Sequence, residues 1–552
     1  MLKRIIKFFA WTIGLIILCI IGLIIYVRLV AVIDEPEPES LAALDAKVVE
    51  VDSGLFKMNN NWFKASETGL FELYVEGDAF ERGVANGRLT RDLVHRQEVV
   101  FTEQIHRLVP SDFYLDILKN FVGWFNRNLQ DNVIKEYQLE ILGVSYSASH
   151  EFDDIAPPYQ RILNYHAAHD IGHALQNMSL VGCTAFATWG DESEDSTLII
   201  GRNFDFYVGD DFARDKLIAF YKPSTGHKFM MVTFGGMTGV LSGMNDQGLT
   251  VTINAAKSDV PSASATPVTL VTREILQYAS TIKEAYDIVA KRKMFVSESF
   301  LIGSAKEGKA SLIEKSPEAV ELVEANGNVI MSTNHFLGAK LGKTQLNELH
   351  VKTSASDYRY QRLKELLSSR DKNSVQSTAA ILRDQKGING KDIGLGNEKA
   401  INQLVAHHAV IFQPEKKLMW VSTAPWQLGK FICYDLEKVF VYEAAENQEL
   451  YEQDLTIPAD SFLLTPEYQD YVKFSKYRFP FNPQSDLNPD SVVKWNPNSY
   501  HAYMLAADYY FERENWASAI PLYEEGLTKE IATMQERYHM EKNLKKSKER
   551  VK

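Results

Sequence analysis

The chain opens with a long apolar run. Residues 8–27 carry no charged side chain, and Lys3, Arg4 and Lys7 precede them. A helix rises about 1.5 Å per residue, so this run spans roughly 30 Å, the thickness of a bilayer's hydrocarbon core. The pattern predicts a transmembrane signal anchor within residues 1–33. Because the positive charges lie on its N-terminal side, we expect a single-pass membrane protein whose remaining chain is extracytoplasmic, either periplasmic or extracellular.

A cleavable signal peptide is the alternative interpretation of this run. It fits the sequence less well, because the apolar stretch is long for a signal peptide and no small-x-small cleavage site follows it. Bulky Leu18 precedes Cys19, which argues against lipidation of that cysteine. Residues 34–40 then form a charged, proline-broken linker that separates the anchor from the rest of the chain.

The polar and apolar positions of residues 41–182 have mostly helical spacing, clearest over 112–130 and 160–178. We predict that this segment is a helical pro-region. After it the pattern changes to short strands separated by glycine-containing turns. These strands are predicted at 184–189, 197–206, 216–221, 228–234 and 249–254.

Helix pairs and strand hairpins alternate in the rest of this region. Helices are predicted at 268–277, 282–291, 358–369 and 375–384, and strands at 299–303, 310–314, 320–324, 328–333, 408–413 and 417–422. One helix per strand would indicate a doubly wound parallel sheet, whereas this alternation favours antiparallel sheets covered by helices. We therefore predict an α+β fold, a four-layer αββα sandwich, for a domain at 183–470.

The last segment, 471–552, has a third pattern. Small and aromatic residues recur with the spacing of a tetratricopeptide helical hairpin: Ala507, Tyr510, Trp516, Ala519, Tyr523 and Gly526. A single repeat cannot bury its own faces, so this hairpin must pack on another surface. Two interpretations stay open: a hairpin packed on the preceding domain, and a docking module for a protein partner.

Composition narrows the range of functions. The 552 residues are 45% hydrophobic and 11% aromatic, which is enough for a large core, and the formal net charge is −13. An acidic chain lacks the positive surplus that neutralises phosphates, which argues against nucleic acid as a partner. Cys19, Cys183 and Cys433 give no disulfide framework. Each thiol is therefore judged by its own neighbourhood, and Cys433 is predicted to be a core thiol.

A candidate nucleophile stands where the helical pattern ends and the strands begin, in the segment Gly182-Cys183-Thr184. The next predicted strand contains Arg202 and Asp205, in the segment Gly-Arg-Asn-Phe-Asp. A β-hairpin that starts at Cys183 returns this second strand beside the first. We therefore expect the arginine and the carboxylate to lie near the thiol.

Gly-Cys-Thr followed by Gly-Arg-Asn-x-Asp resembles the penicillin (isopenicillin N) acyltransferase family. The chain is also similar to the wider choloylglycine hydrolase and acid-ceramidase group of N-terminal-nucleophile hydrolases, which act on linear amide C–N bonds. Further segments agree in the same order along the chain, at 76–88, 243–249, 332–336 and 359–363. The resemblance covers roughly residues 70–440.

The resemblance implies self-cleavage between Gly182 and Cys183. A thiol in mid-chain has a pKa of about 8.5 and forms little thiolate at pH 7. Cleavage gives Cys183 a free α-amine with a pKa of about 7.7–8.0, which takes the thiol proton directly or through water. The nucleophile then carries its own base. Glycine before the cysteine tolerates the strained backbone that an N→S acyl shift requires.

The resemblance also implies roles for five other residues. Asp205 would accept hydrogen bonds from the new amine, and Arg202 would support the thiolate. Asn254 would donate its amide to the tetrahedral oxyanion, where removing one donor typically costs about 10²–10³ in rate. Asn334 would position the α-amine or the scissile carbonyl, and Arg359 would complete the polar network.

The implied reaction is attack of a thiolate on an amide or ester carbonyl, followed by transfer of the acyl group from a thioester to water or to an amine. No coenzyme or nucleotide site is visible in the sequence, so no cofactor is predicted. We expect hydrolysis of linear amide bonds in N-acylated small molecules or short peptides. Lipid-like amides are an option because of the membrane anchor, and the choice between water and amine stays open.

A metal site is the alternative interpretation of a group of histidines. His166, His169 and His173 fall on one face of the helix before Cys183, with Asp170 beside them. Zinc-binding helices usually pair ligands at i and i+4 and use a further ligand elsewhere, and neither HExxH nor a paired CxxC occurs in the sequence. We therefore predict no metal.

Three further histidines are assigned no chemistry. His407 and His408 precede a strand and are predicted to be structural. His335 follows Asn334 and would line the site, but the α-amine already supplies the base.

A catalytically inactive, membrane-anchored binding protein is the alternative function, with partners docked on the helical hairpin. The joint presence of Gly182, Cys183, Arg202, Asp205 and Asn254 argues against it. Cleavage of the chain after Gly182 separates the two hypotheses, because a binding protein has no need of it.

Overall fold

The computed structural model describes residues 2–175, 181–206, 209–259, 263–478 and 487–551. The helices are α1 Leu2–Val30, α2 Ala79–Leu89, α3 Arg91–Leu108, α4 Asp112–Phe125, α5 Lys135–Ser145, α6 Pro158–Leu175, α7 Asp210–Arg214, α8 Val268–Tyr278, α9 Ile282–Lys291, α10 Gln345–Thr353, α11 Ser356–Ser368, α12 Val375–Leu382, α13 Leu436–Val439, α14 Pro466–Arg478, α15 Pro489–Trp495, α16 Tyr500–Glu512, α17 Trp516–Leu527 and α18 Met534–Val551. The strands are β1 Val49–Asp52, β2 Leu55–Met58, β3 Asn61–Ala65, β4 Phe71–Gly77, β5 Val181–Thr188, β6 Ile199–Phe206, β7 Leu217–Pro223, β8 Phe229–Thr233, β9 Ser242–Asn245, β10 Leu249–Ala256, β11 Ser297–Ser304, β12 Lys309–Lys315, β13 Val320–Glu324, β14 Val329–Ser332, β15 His408–Gln413, β16 Leu418–Ser422 and β17 Phe431–Asp435.

The strands form two large sheets. One has the order β1-β2-β3-β4-β7-β8-β9-β10-β11-β12-β13, and the other has the order β14-β5-β6-β15-β16-β17. The predicted α+β fold is confirmed. The prediction of antiparallel sheets is wrong for β4 and β7, which pair in parallel. The chain between these two strands contains α2 to α6 and the β5-β6 hairpin, which leaves ample length for the crossover that a parallel pair requires.

Alternating side chains on the strands sort the core into three clusters. Val251 of β10 packs with Ile275 of α8, between the eleven-stranded sheet and its helices. Ile218 of β7 and Val410 of β15 lie in a second cluster between the two sheets. The next residue, Ile411, points the other way and packs in a third cluster with α11 and α12. Each fully buried side chain of this size contributes about 1.5–3 kcal/mol to stability.

The helical prediction for residues 41–182 is wrong over 49–77, where β1 to β4 lie. These strands are short, and Asn59 and Asn60 form the turn between β2 and β3. Asn59 has φ 54°, a left-handed conformation that asparagine tolerates in such turns. Strand β1 is exposed at all four positions and β4 is buried at four consecutive positions, so neither shows the alternation that distinguishes a strand from a helix. Helices α2 to α6 confirm the prediction beyond residue 77, and positions 176–178 of the predicted helix lie outside the described residues.

Helix α1 contains the stretch Arg4–Val27, 24 residues long and with a mean hydropathy of 2.8, none of it buried in the protein. By length and composition it can cross a bilayer. One such helix is weak evidence, because a signal sequence at the N-terminus has the same properties. The orientation of the chain relative to a membrane therefore stays a prediction.

The C-terminal helices pack on the preceding part of the chain. Ala502 of α16 shares a buried cluster with Leu404 and Leu428. In a second cluster, Ala519 and Tyr523 of α17 pack against α16 and α18. The predicted helical hairpin is present as α16 and α17. Its assignment as a tetratricopeptide repeat stays a prediction, as do the domain limits 41–182, 183–470 and 471–552.

Candidate active site

β5 and β6 are antiparallel neighbours, and together they place the predicted nucleophile. Their register sets Gly182 opposite Asp205 and Cys183 opposite Phe204. Arg202 lies on the same strand, three residues before Asp205, so the two side chains leave the strand on opposite faces. The hairpin that the sequence predicts therefore brings the arginine and the carboxylate to the thiol segment.

Cys183 is buried, and its backbone is held on both sides. Its N–H donates to Asn334 Oδ1 at 2.9 Å, and its carbonyl accepts from Arg359 Nη1 at 2.6 Å. Arg359 Nη2 also donates to Asn334 Oδ1 at 2.7 Å, and Asn334 Nδ2 donates to the carbonyl of Ala255 at 3.0 Å. The nitrogen bound by Asn334 is the one that cleavage after Gly182 would release as an α-amine.

Arg202 lies beside the sulfur. Its Nη2 is 3.8 Å from Cys183 Sγ and also donates to the carbonyl of Ile253. The guanidinium carbon lies 4.3 Å from the centre of the Phe204 ring, a cation–π distance. Burial raises the pKa of the Cys183 thiol above its ordinary value, and the positive charge of Arg202 is the strongest influence that opposes it. Arg202 is therefore the group that most favours the thiolate.

The Asp205 carboxyl is fully buried. Gln403 Nε2 donates to its Oδ2 at 3.3 Å, and in the described part of the chain Oδ1 has no hydrogen-bond partner. Burial raises the pKa of Asp205 to about 7, although Arg359 and Arg202 act to lower it. Across the hairpin, a Cβ at Gly182 would collide with the side-chain amide of Gln403. Glycine is the residue that fits this position.

Asn254 is close to this network, but its side-chain amide does not point toward the thiol as an oxyanion donor would. Its neighbours in β10 contact the site, since Ile253 accepts from Arg202 and Ala255 accepts from Asn334. Its own Nδ2 donates to the carbonyl and to Oγ of Ser332, both at 3.2 Å, and Oδ1 is unpaired among the described residues. The free atom is an acceptor. Asn254 would have to turn its amide before it could donate to an oxyanion.

Unsatisfied polar atoms are concentrated around Cys183. Arg202 Nε, Asp205 Oδ1, Asn254 Oδ1 and Arg359 Nε are buried without a hydrogen-bond partner among the residues described. Most buried polar atoms in proteins are paired, because an unpaired one costs about 1–3 kcal/mol. Several such atoms around one thiol are expensive for stability, and this is typical of a site that is arranged for a reaction.

An apolar pocket is lined in part by Phe204, the residue that lies opposite Cys183 in the hairpin. Six aromatic residues contribute to its wall: Phe101, Tyr165, Phe204, Phe206, Phe212 and Phe234. Phe204 is the register partner of Cys183, and Leu241, also in the wall, offers its carbonyl to Arg202 at 3.4 Å. The lining residues that the structure describes include no charged side chain. Such a pocket suits an apolar group of a small molecule.

Residues 192–423 match the model of a protein family described as acyl-coenzyme A:6-aminopenicillanic acid acyl-transferase. The resemblance to the penicillin acyltransferase family is confirmed. Arg202, Asp205, Asn254 and Arg359 lie inside the matched segment, as does the rest of the network except Cys183, which precedes it. The match supports amide hydrolysis or acyl transfer in general.

Two curated relatives match part of the chain. A protein of Archaeoglobus fulgidus is 23% identical over 254 residues, 43% of this chain and 42% of its own length. Protein dcd1B of Dictyostelium discoideum is 22% identical over 271 residues, 46% of this chain and 51% of its own length. The chain thus spans about half the length of these relatives or less.

Several solved structures are similar to about half of the chain. They include a Caenorhabditis elegans ortholog of N-acylethanolamine-hydrolyzing acid amidase, with 18% identity, 42% of this chain and 93% of that one covered, and a TM-score of 0.31. A mutant conjugated bile acid hydrolase from Clostridium perfringens has 14% identity, coverages of 50% and 99%, and a TM-score of 0.34. Penicillin V acylase from Agrobacterium tumefaciens has 14% identity, coverages of 46% and 87%, and a TM-score of 0.31.

Three residues of this network were not found by sequence reasoning. Ser242 accepts a hydrogen bond from Arg202 at 2.7 Å, His408 is 2.9 Å from that hydroxyl, and Gln403 holds Asp205. His408 is predicted above to be structural, and its contact with the Arg202 partner revises that interpretation. No motif marks these residues, since each is recruited from a different strand or loop.

The structure offers no support for a metal site within the residues it describes, where no group of three or more potential ligands comes together. His166 is buried, and both of its ring nitrogens have hydrogen-bond partners. Thr238 Oγ1 lies 2.9 Å from Nε2, and the carbonyl of Ile162 lies 2.9 Å from Nδ1. The side chains of His169 and His173 lie outside the described residues. Cys433 is buried in an apolar cluster, as predicted.

If the chain cleaves itself after Gly182 and Asp205 accepts hydrogen bonds from the developing α-amine, cleavage is expected to accelerate as the pH rises to about 7 and then to level off, because only the ionised carboxylate is a full acceptor. The rate should rise about tenfold per pH unit on the acid side. Gel densitometry of freshly purified precursor over time measures it. Asp205→Asn should remove the dependence. Glu72→Gln is the control, since burial also raises the pKa of Glu72 to about 7 but its carboxylate accepts from Tyr434 and pairs with Lys64, outside the Cys183 network. A pH-independent wild-type rate would contradict this expectation.

Proposed function

We propose that the chain is a cysteine N-terminal-nucleophile amidohydrolase or acyltransferase, which cleaves itself between Gly182 and Cys183 and then acts on linear amide bonds of N-acylated small molecules. The observation that carries the proposal is the pair of hydrogen bonds to the Cys183 backbone. Its N–H donates to Asn334, and its carbonyl accepts from Arg359. A thiol kept only for packing has no use for such a network. The family match at 192–423 supports the same reaction class.

In the proposed reaction the α-amine of Cys183 takes the proton of Sγ, and the thiolate attacks the substrate carbonyl carbon. The C–S bond forms, and the carbonyl electron pair moves to the oxygen. When the C–N bond breaks, the ammonium returns its proton to the leaving nitrogen, and a thioester remains. Water or an amine then attacks the thioester, gives its proton to the α-amine, and displaces the thiol.

Each residue around Cys183 has a separate proposed role. Arg202, 3.8 Å from Sγ, stabilises the thiolate. Asn334 is proposed to orient the α-amine and Asp205 to accept hydrogen bonds from it, while Arg359 fixes Asn334 through the 2.7 Å bond to its oxygen. Asn254 is proposed as an oxyanion donor after its amide turns. These groups need no cofactor, and none is proposed.

Other features of the proposal concern the whole chain. We propose that the two sheets with their helices form the αββα sandwich of an N-terminal-nucleophile hydrolase, in which the three clusters of the core separate the four layers. Helix α1 would anchor this domain on the extracytoplasmic side of a membrane. Helix α16 packs on the preceding chain and α17 packs against α18, so a protein partner of this hairpin would bind the surface that these contacts leave uncovered.

A substrate panel tests the proposed activity. The processed protein is incubated with N-acyl amides whose acyl groups range from acetyl to phenylacetyl to long alkyl, with and without a free amine, and the products are identified by mass spectrometry. We expect carboxylic acid, or a new amide when the amine is the acceptor. An inactive protein that also stays uncleaved would favour the binding-protein hypothesis.

The pocket predicts a preference for apolar acyl groups. Phe234→Ala should raise KM for the best acyl group about tenfold and leave kcat nearly unchanged, because losing part of a buried aromatic contact costs on the order of 1.4 kcal/mol of uniform binding. Initial rates over a range of substrate concentrations measure both constants. The matched control is Phe412→Ala, which removes a buried phenyl ring between the sheets. Equal effects of the two substitutions on KM would contradict an acyl site in this pocket.

A further inference from the structure

A chain of hydrogen bonds leads from Arg202 away from the thiol and into the core. Arg202 Nη1 donates to Ser242 Oγ at 2.7 Å. Ser242 Oγ lies 2.9 Å from His408 Nε2, and His408 Nδ1 lies 2.9 Å from His407 Nδ1. All four side chains are fully buried. They come from β6, β9 and β15 and from the residue before β15, so the fold and not the local sequence assembles them.

Only one arrangement of protons satisfies this chain. A guanidinium group can only donate, so the single proton of Ser242 is free to go to His408 Nε2. Arg202 Nη1 is also 3.5 Å from His408 Nε2, which again requires that nitrogen to be an acceptor. The proton of His408 is therefore on Nδ1 and is donated to His407 Nδ1. The proton of His407 must then be on Nε2.

Both imidazoles are neutral in this environment. Burial lowers the pKa of His407 to about 3 and that of His408 well below its ordinary value. The positive charges of Arg202 and the buried Lys216 act in the same direction. Protonating either ring would place a second donor against Ser242 or against the other ring. The direction of the chain is thus fixed at neutral pH.

The far end of the chain lies behind the wall of the apolar pocket. His407 Nε2 has no hydrogen-bond partner among the residues that the structure describes. The His407 ring instead meets the rings of Phe212, Phe234 and Phe204 edge-on, with centroid distances of 5.6, 5.7 and 6.2 Å. These ring contacts hold the imidazole in place, although its Nε2 has no polar partner among the described residues.

The hydrogen-bond partners of Arg202 are neutral, and this affects how its charge acts on the thiol. Within the described residues, the acceptors around Arg202 are a hydroxyl, an imidazole and carbonyls, together with the thiol. A carboxylate at the place of Ser242 would neutralise the guanidinium. Neutral acceptors orient its N–H groups without forming an ion pair, so its charge acts on Sγ, 3.8 Å away. The buried carboxyls of Asp205 and Glu298 oppose this effect, since they act on both Arg202 and the thiol.

We propose that Ser242, His408 and His407 are positioning residues, which hold Arg202 against Cys183 through a one-directional hydrogen-bond chain. The proposal rests on the proposed function, in which Arg202 stabilises the thiolate. Without Ser242, Nη1 loses its shortest bond, and the guanidinium can rotate toward other acceptors. The thiolate would then lose part of its stabilisation, whereas substrate binding in the aromatic pocket would not change.

The test is a titration of Cys183 in the full-length protein. The ultraviolet absorbance of the thiolate is followed against pH for each variant and for the same variant carrying Cys183→Ala, and the difference belongs to Cys183. We expect the midpoint for Ser242→Ala to lie about one pH unit above the wild type. Ser242→Thr keeps the hydroxyl and should titrate like the wild type. Ser311→Ala is the control, because it removes a buried hydroxyl that, unlike that of Ser242, has no hydrogen-bond partner among the described residues.

A Ser242→Ala midpoint equal to the wild type would overturn the proposal. If that variant does not fold by circular dichroism, His408→Leu replaces it, with His408→Gln as the rescue because its oxygen can still accept from Ser242. With a substrate in hand, kcat of Ser242→Ala should fall about tenfold at unchanged KM. The titration needs no substrate. An unshifted midpoint therefore counts against the chain alone, and absent turnover with a shifted midpoint counts against the proposed function alone.

Discussion

Cys183→Ala is expected to leave the protein folded, uncleaved and inactive on every amide. The substitution removes the atom that forms the thioester, so kcat should fall on the order of 10⁶-fold, as when the serine nucleophile of a hydrolase is removed. Folding should be little affected, because the backbone bonds to Asn334 and Arg359 do not involve the sulfur. Turnover of the best substrate of the panel and the melting temperature measure the two effects.

Cys433→Ala is the matched control for this result. Cys433 is also a buried thiol, but it packs in β17 within the apolar cluster that contains Phe431 and Ile411. Its loss should lower stability by about 1 kcal/mol and leave kcat and chain cleavage unchanged. A Cys183→Ala protein that still turns substrate over would refute the nucleophile. An inactive but folded Cys433→Ala protein would instead contradict the assignment of Cys433 as a residue that only packs in the core.

The second large effect is expected at Asn334. Asn334→Leu removes the acceptor of both the Cys183 nitrogen and Arg359 Nη2. In the processed enzyme the α-amine would lose the group that aims it at the sulfur, and a misplaced general base typically costs 10²–10⁴ in rate. We expect kcat to fall about 10³-fold with little change in KM. Steady-state kinetics of the processed protein measures the loss.

Two variants separate catalysis from stability in this case. Asn334→Asp keeps an acceptor oxygen for the α-amine and should retain more activity than the leucine variant. Asn245→Leu removes a buried amide that binds the carbonyls of Leu276 and Ala279. It should be destabilising to a similar degree but should leave kcat of the folded protein intact. If Asn334→Leu lost no more activity per folded molecule than Asn245→Leu, its role would be structural only.

The sequence predicts best those elements with a long, regular pattern. Helix Ile282–Lys291 and strands Val320–Glu324 and His408–Gln413 have their predicted limits. The β5-β6 hairpin also follows from the sequence, because two strands separated by a short polar segment pair with each other. Strands β1 to β4 could not be predicted in the same way, since β1 is exposed at every position and β4 is buried at four consecutive positions, which hides the alternation typical of a strand.

The candidate site also contains residues that local sequence patterns place correctly and residues that they do not. The closeness of Arg202 and Asp205 to Cys183 follows from one local hairpin. Asn334 and Arg359 were placed in the site by the family resemblance, because no spacing shows that they meet the Cys183 backbone. Ser242 and His408 are separated by 166 positions in the chain, and their contact depends on how the two sheets pack. The Asn254 amide shows the limit of resemblance, since its donor is engaged by Ser332.

The central claim is that breaking the Gly182–Cys183 bond supplies the base for the thiol. The most direct measurement is N-terminal sequencing and intact-mass analysis of the two bands that the purified wild-type protein gives on a denaturing gel. The account predicts that the larger fragment begins with Cys183 and that the Cys183→Ala protein remains a single chain. A wild-type protein that is active on amides while its chain is intact at Gly182 would contradict the account.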